Sequence, residues 1–231
     1  MTYSTKLATA ALALALATGA HATQIVYNNL VNPLGNYIGG FPYEEVADDI
    51  QLSGSARIFE SITVGYAGFN FDGDETLTVS LYRMDGAPTP GSFGFNTPGS
   101  LLFSSTVPIG ATDGTTLTIP GNGIILPDYL GVGFSFGGVD FDPTGAGSDG
   151  GPLLFDPIGE GSSFEDYWLR GYPNPGDPWA LFTFGGEPPV NLGIQISARS
   201  SGVPDAGSTL GLTGLAALGL LAVARRGRRT A

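Results

Sequence analysis

Glycines and prolines recur along this chain at short intervals, 37 and 17 of them in 231 residues, which leaves segments of strand length between them. Within those segments apolar residues alternate with polar ones. Thr76-Leu77-Thr78-Val79-Ser80-Leu81-Tyr82 sets Leu77, Val79 and Leu81 on one face and the hydroxyl side chains on the other, the period-two pattern of a half-buried strand. Residues 61–66, 131–136 and 191–196 repeat the pattern, and 24–28, 46–52, 101–107, 115–119, 153–155, 167–170 and 181–184 are further strand candidates. Asp72-Gly73, Asp85-Gly86, Asp113-Gly114, the Pro120-Gly121-Asn122-Gly123 run and residues 173–178 read as turns between them. No amphipathic helix and no internal repeat intervenes. The expected body is therefore all-β, one antiparallel β-sandwich over residues 23–198, with a jelly roll among the arrangements that fit.

Both ends of the chain differ from this body. Lys6 precedes an Ala/Leu run through Ala17, and Thr18-Gly19-Ala20-His21-Ala22 follows with small residues at the positions a signal peptidase reads. Residues 1–22 are thus expected to be a signal-peptide helix, cleaved after Ala22, with Ala20 and Ala22 as its recognition residues. At the other end, residues 199–207 form a linker and a short motif, Val203-Pro204-Asp205-Ala206-Gly207. An apolar run over 210–224 and the arginines Arg225, Arg226, Arg228 and Arg229 come next. Residues 208–231 therefore read as a marginal transmembrane helix with an arginine tail retained on the cytoplasmic side, since a span needs about 20 mostly apolar residues.

The order of motif, apolar run and arginine cluster resembles the PEP-CTERM class of bacterial sorting signals. Val203-Pro204-Asp205 with Gly207 is similar to its VPDSG variant, Ala206 standing where that variant has serine. The resemblance covers about thirty residues. It implies export through the secretion machinery, recognition of the tail by an exosortase in the inner membrane, removal of the helix and arginines, and delivery to the cell surface or extracellular matrix. In the body, Glu45-Val46-Ala47-Asp48-Asp49-Ile50, Ile62-Thr63-Val64, residues 77–82 and the run Pro98-Gly99-Ser100-Leu101-Leu102-Phe103-Ser104-Ser105 are loosely similar to sandwich modules of exported proteins that carry such tails. That similarity implies no activity.

Without its ends the chain is sharply acidic. Residues 23–202 hold twenty acids against Arg57, Arg83, Arg170 and Arg199, a formal charge of −16, with no lysine, histidine or cysteine. Such a surface repels phosphate backbones, so nucleic acid is not an expected partner. The missing side chains exclude Ser-His-Asp and Cys-His catalysis, imidazole zinc sites, disulfides and thiol redox chemistry in the body. Stability must come from a packed core, and about 180 residues bury roughly 70% of the unfolded chain's surface.

Three chemistries stay open. Asp140, Asp142 and Asp149 space carboxylates along one glycine-rich loop, and calcium takes hard oxygen ligands on such loops, although the spacing is not that of the helix–loop–helix calcium pattern. Asp72-Gly73-Asp74-Glu75 and Asp48-Asp49 are smaller clusters of the same kind. Glu44-Glu45, Glu160 and Glu165-Asp166 lie near aromatic residues in sequence, as paired carboxylates for glycoside hydrolysis would. Tyr167, Trp168, Arg170 and Trp179 gather both tryptophans of the chain near an arginine and carboxylates, the composition of a sugar-binding site. The function expected from these observations is that of a non-enzymatic exported surface or matrix protein that meets extracellular polysaccharide, with calcium the one cofactor envisaged. A carbohydrate-binding module is the alternative and a carboxylate hydrolase the distant one.

Overall fold

The computed structural model describes residues 22–39, 43–88, 96–140, 147–164, 166–183 and 191–200. The expected signal helix, save Ala22, and the whole sorting motif and membrane helix lie outside these residues, as does Asp142. Residues 23–199 make one compact unit. Every regular element described is a strand, and no described helix is long and apolar enough to cross a membrane. In chain order they are β1 (Thr23–Asn28), β2 (Pro33–Tyr37), β3 (Glu45–Gln51), β4 (Ile58–Phe69), β5 (Thr76–Arg83), β6 (Leu101–Pro108) and β7 (Thr112–Pro120). After these come β8 (Tyr129–Gly137), β9 (Asp149–Phe155), β10 (Ser162–Ser163), β11 (Asp166–Arg170), β12 (Ala180–Thr183), β13 (Asn191–Leu192) and β14 (Ile194–Arg199).

The strands form two antiparallel sheets. The first runs β1-β14-β4-β7, and β9 continues beside the far half of β4, with β13 and β2 on opposite edges of its last residues, where both pair with Phe155. The second runs β12-β11-β3-β8-β5-β6, with the short β10 beside β3. Alternation decides what lies between them. Leu77, Val79 and Leu81 of β5 are fully buried with Leu130, Val132 and Phe134 of β8, and they join Ile62 and Val64 of β4 and Ile194 and Ile196 of β14 in one cluster. The sandwich-like, all-β expectation holds at this level. Each strand inferred from alternation has a counterpart, and β4 runs for twelve residues where six were inferred, extending at both ends and past Gly68. Asp113-Gly114, read as a turn, instead lies inside β7, where the pairing with β4 shifts register.

Two strands escape the pattern. β2 holds a proline and a glycine in five residues, and it is fixed by close approach to β9: a Cβ on Gly151 would fall 1.6 Å from the Ile38 carbonyl oxygen. β10 is only two residues long. Between β13 and β14 the ladder breaks at Gly193, and the buried Asn29 bridges the gap. Its Nδ2 donates to the Leu192 carbonyl at 2.5 Å and its Oδ1 accepts from the Ile194 N–H at 2.7 Å, satisfying backbone groups that the ladder leaves open.

Candidate functional site

β3 is buried on both faces. Val46 and Ile50 enter the core with Asp48, whereas Glu45, Ala47 and Asp49 face outward and are still at most 1% exposed. Register fixes their neighbours on this outer face. Trp168 of β11, Ala47 of β3, Gly133 of β8 and Ser80 of β5 lie in one cross-strand row, and Asp49, Gly131 and Tyr82 in the next. Continuing the β11 register sets Asp166 opposite Asp49. The glycines leave room for long side chains to lie across the sheet. A Cβ on Gly133 would meet Glu45 Oε1 at 2.0 Å and the Tyr82 ring at 3.1 Å.

Glu45 organises one half of this face. Its carboxylate accepts from the Tyr82 hydroxyl at 3.0 and 3.1 Å and pairs with Arg170 Nη2 at 2.7 Å. Burial pushes its pKa up, and the Arg170 charge and the Tyr82 hydrogen bond pull it partly back. The Arg170 guanidinium also stands 5.3 Å from the centroid of the Trp179 ring, and that ring meets Tyr82 edge-on at 6.0 Å. Glu44, 3.8 Å from Arg170 Nε, accepts from the Gly176 N–H at 2.8 Å and ties the segment before Trp179 to the sheet.

The other half is an acid pair. Asp49 Oδ2 accepts from the Tyr129 hydroxyl, but Asp49 Oδ1 and both oxygens of Asp166 have no hydrogen-bond partner although Asp166 is only 2% exposed. The two carboxyl groups are near enough to hydrogen-bond once one holds a proton. Burial, followed by the charge of Asp49, pushes Asp166 up to about 7, and burial likewise raises Asp49. On the opposite face of β3, Asp48 is satisfied: its Oδ1 accepts from Ser163 Oγ at 2.7 Å and its Oδ2 from the Leu192 N–H at 3.0 Å. Burial first, and the Asp49 charge next, raise Asp48 well above the usual carboxylate range.

Along β11 each outward side chain carries a buried polar atom that makes no hydrogen bond, the Asp166 oxygens, Trp168 Nε1 and Arg170 Nε, although Asp49 stands beside Asp166 and Glu44 lies 3.8 Å from Arg170 Nε. Such atoms are costly in an apolar setting, at about 1–3 kcal/mol each, and so mark a place where a polar group belongs.

The four residues expected to bind sugar are divided by the fold. Arg170 and Trp179 come together as expected. Trp168 shares their face, but the whole residue, Nε1 included, is buried. Tyr167 points to the other side of β11, where it stacks on Phe182 against the core. Tyr82, Asp49 and Tyr129 join this side of the sheet only through strand register, from dozens of positions away in the chain.

Of the carboxylates expected to bind calcium, Asp142 lies outside the described residues. Asp149 Oδ2 accepts from the Tyr37 hydroxyl at 2.6 Å, while Asp140 contributes to the charge around Asp74 and its backbone N–H donates to Ser148 Oγ at 2.8 Å. The smaller cluster is the compact one: among the described residues Asp72, Asp74 and Glu75 bring ligand oxygens within 4.8 Å of one another. Glu75 there closes its own turn, accepting from the Asp72 and Gly73 N–H groups at 2.9 Å each. The neighbouring Asp72 charge raises Asp74. In comparisons with known proteins, this chain matches no family model, no curated protein and no solved structure.

Proposed function

We propose that this chain is a non-enzymatic protein of the cell surface or extracellular matrix, exported through the secretion machinery, cut by signal peptidase after Ala22 and sorted by an exosortase that acts on the Val203-Pro204-Asp205-Ala206-Gly207 tail. Its body is a jelly roll. The strand order β1-β14-β4-β7 against β3-β8-β5-β6, with the chain crossing between sheets at most steps, supports that topology, and β9 to β13 form an insertion before the last strand.

The observation that carries the sorting reading is where the ladder starts and stops. β1 begins at Thr23, the residue after the expected signal cleavage, and β14 ends at Arg199, four positions before Val203. Thr23 and Arg199 are paired in register, so both expected cuts fall outside the hydrogen-bonded body and leave its sheets whole. Replacing Pro204 and Asp205 together by alanine tests the assignment in the native host. Retention of the full tail in the inner membrane is the expected outcome, and unchanged release would sink it.

Calcium bridging between the acidic surface and acidic polysaccharide belongs to the same reading. The Asp72-Asp74-Glu75 turn is its candidate contact, because three carboxylates converge there. Melting in calcium and in EDTA, compared between the native protein and Asp74→Asn, decides that part: a calcium-dependent rise lost in the variant is expected, and identical curves would remove calcium from the account.

A further inference from the structure

We propose that the β11–β12 hairpin is a proton-gated flap, docked on β3 while Asp49 and Asp166 share a proton and freed at that end once both are ionised. Three features of the geometry carry the argument. The hairpin hangs on the sheet by one side: among the described residues β12 is an edge strand that pairs with β11, and β11 meets β3 through Trp168, Leu169 and Arg170 alone. The ladder beside these three residues is interrupted. Between Ser163, opposite Ile50, and Trp168, opposite Ala47, the outer chain has four residues where β3 has two, and Asp49 and Asp166 meet at this break. The two ends of the contact also differ in charge. At one end Arg170 pairs with Glu45 at 2.7 Å, a contact that needs no shared proton. At the other, two carboxyls, each at most 2% exposed, face one another where like charges are weakly screened.

No described cation faces the acid pair from the strands packed around it. β3 adds Asp48 on its other side, held by Ser163 Oγ and the Leu192 N–H, and β1 brings Tyr27 close to both of these β3 acids. From β8, Tyr129 donates to Asp49, while Tyr82 of β5, in the same row, gives its hydroxyl to Glu45. β12 sets Thr183 opposite Asp166. Arg170, the one cation of β11, is taken up by Glu45 and by Glu44 at 3.8 Å. With one proton the pair is a single negative charge closed by its own hydrogen bond; without it, two negative charges stand in contact. Burial and the Asp49 charge push Asp166 up to about 7, so the docked hairpin holds a proton that the open one releases. Opening is therefore rarest below about pH 4, grows more frequent as pH rises to about 7, and is level beyond. It starts at the interrupted ladder, turns about the Arg170 end and bares Tyr167 and Phe182, which stack on each other against the core. The device belongs to the folded body alone and is independent of export and sorting.

The test is native-state hydrogen exchange of the full chain in low urea at pH 5 and pH 8, corrected for intrinsic exchange rates. Amides of β11 and β12 are expected to exchange through an opening of their own, nearly insensitive to urea and distinct from the global unfolding that exposes β5 and β8. The population of that opening should rise about tenfold between the two pH values. Asp166→Asn and Asp49→Asn each remove one of the two charges and should abolish the rise, so that either variant decides the matter where the other fails to fold. The proposal is overturned if β11 and β12 exchange only together with β5 and β8 at both pH values, or if both variants keep the rise. A rise that added calcium suppresses in the native protein would also overturn it, by making the acid pair a cation site.

Discussion

At the scale of single residues, Asp166 ties the chemistry of this protein to its stability. Its folded-state pKa, about 7, lies above the unfolded value of about 3.9, so between these pH values the folded chain binds the extra proton. Stability from this group is therefore fully present below pH 4, falls as pH rises toward 7, and is level beyond. With solvent screening and proton sharing allowed for, the loss is on the order of 1–2 kcal/mol. Asp166→Asn should flatten that slope and leave the protein more stable than the native chain at pH 8, as read by urea unfolding at several pH values; an unchanged slope would show that the carboxyl pair shares no proton. Glu45 behaves differently, because it is paired. Glu45→Ala leaves the Tyr82 hydroxyl and Arg170 Nη2 without their buried acceptor and should cost about 3–5 kcal/mol at neutral pH, where replacement of the exposed Asp128, partner of Arg57 at 2.7 Å, should cost under about 1.

At the scale of elements, two features hold the less regular strands in place. Asn29→Ala removes both hydrogen bonds across the break between β13 and β14, leaving a buried N–H and carbonyl open, and should destabilise by about 2–4 kcal/mol. Gly151→Ala forces β2 off β9 and should cost about 1–3 kcal/mol, with loss of amide protection confined to β2 and β9 in hydrogen exchange. Protection lost uniformly instead would mean that β2 is no independent element. These are also the places where sequence reasoning stops. β5 is legible because its inward Leu77, Val79 and Leu81 and outward Thr76, Thr78 and Ser80 alternate without interruption. β2 is illegible because what fixes Pro33-Leu34-Gly35-Asn36-Tyr37 is a contact with residues more than a hundred positions away. The candidate site divides in the same way. A cluster of Tyr167, Trp168 and Arg170 is visible in sequence, but alternation along β11 sends Tyr167 to the core side, and Asp49 and Tyr82 join the face only through the pairing of β3, β8 and β5.

At the scale of the whole molecule, the body combines a continuous apolar core with sixteen more acids than bases over residues 23–202, several of those acids buried. The core supplies the stability without help from disulfides, since the chain has no cysteine. Leu81→Ala, at a fully buried position in the middle of β5, should cost about 2–5 kcal/mol in reversible urea unfolding. The ladder's two ends lie side by side at Thr23 and Arg199, which suits a body that loses a segment on either side and keeps its fold. The most direct measurement of this account is the intact mass of the protein recovered from its native host, fraction by fraction. A mature chain that starts at Thr23, ends within residues 203–207 and lies in the surface or medium fraction is the predicted result. A chain in the inner-membrane fraction that keeps residues 208–231 would contradict the account and make the protein a membrane-anchored sandwich.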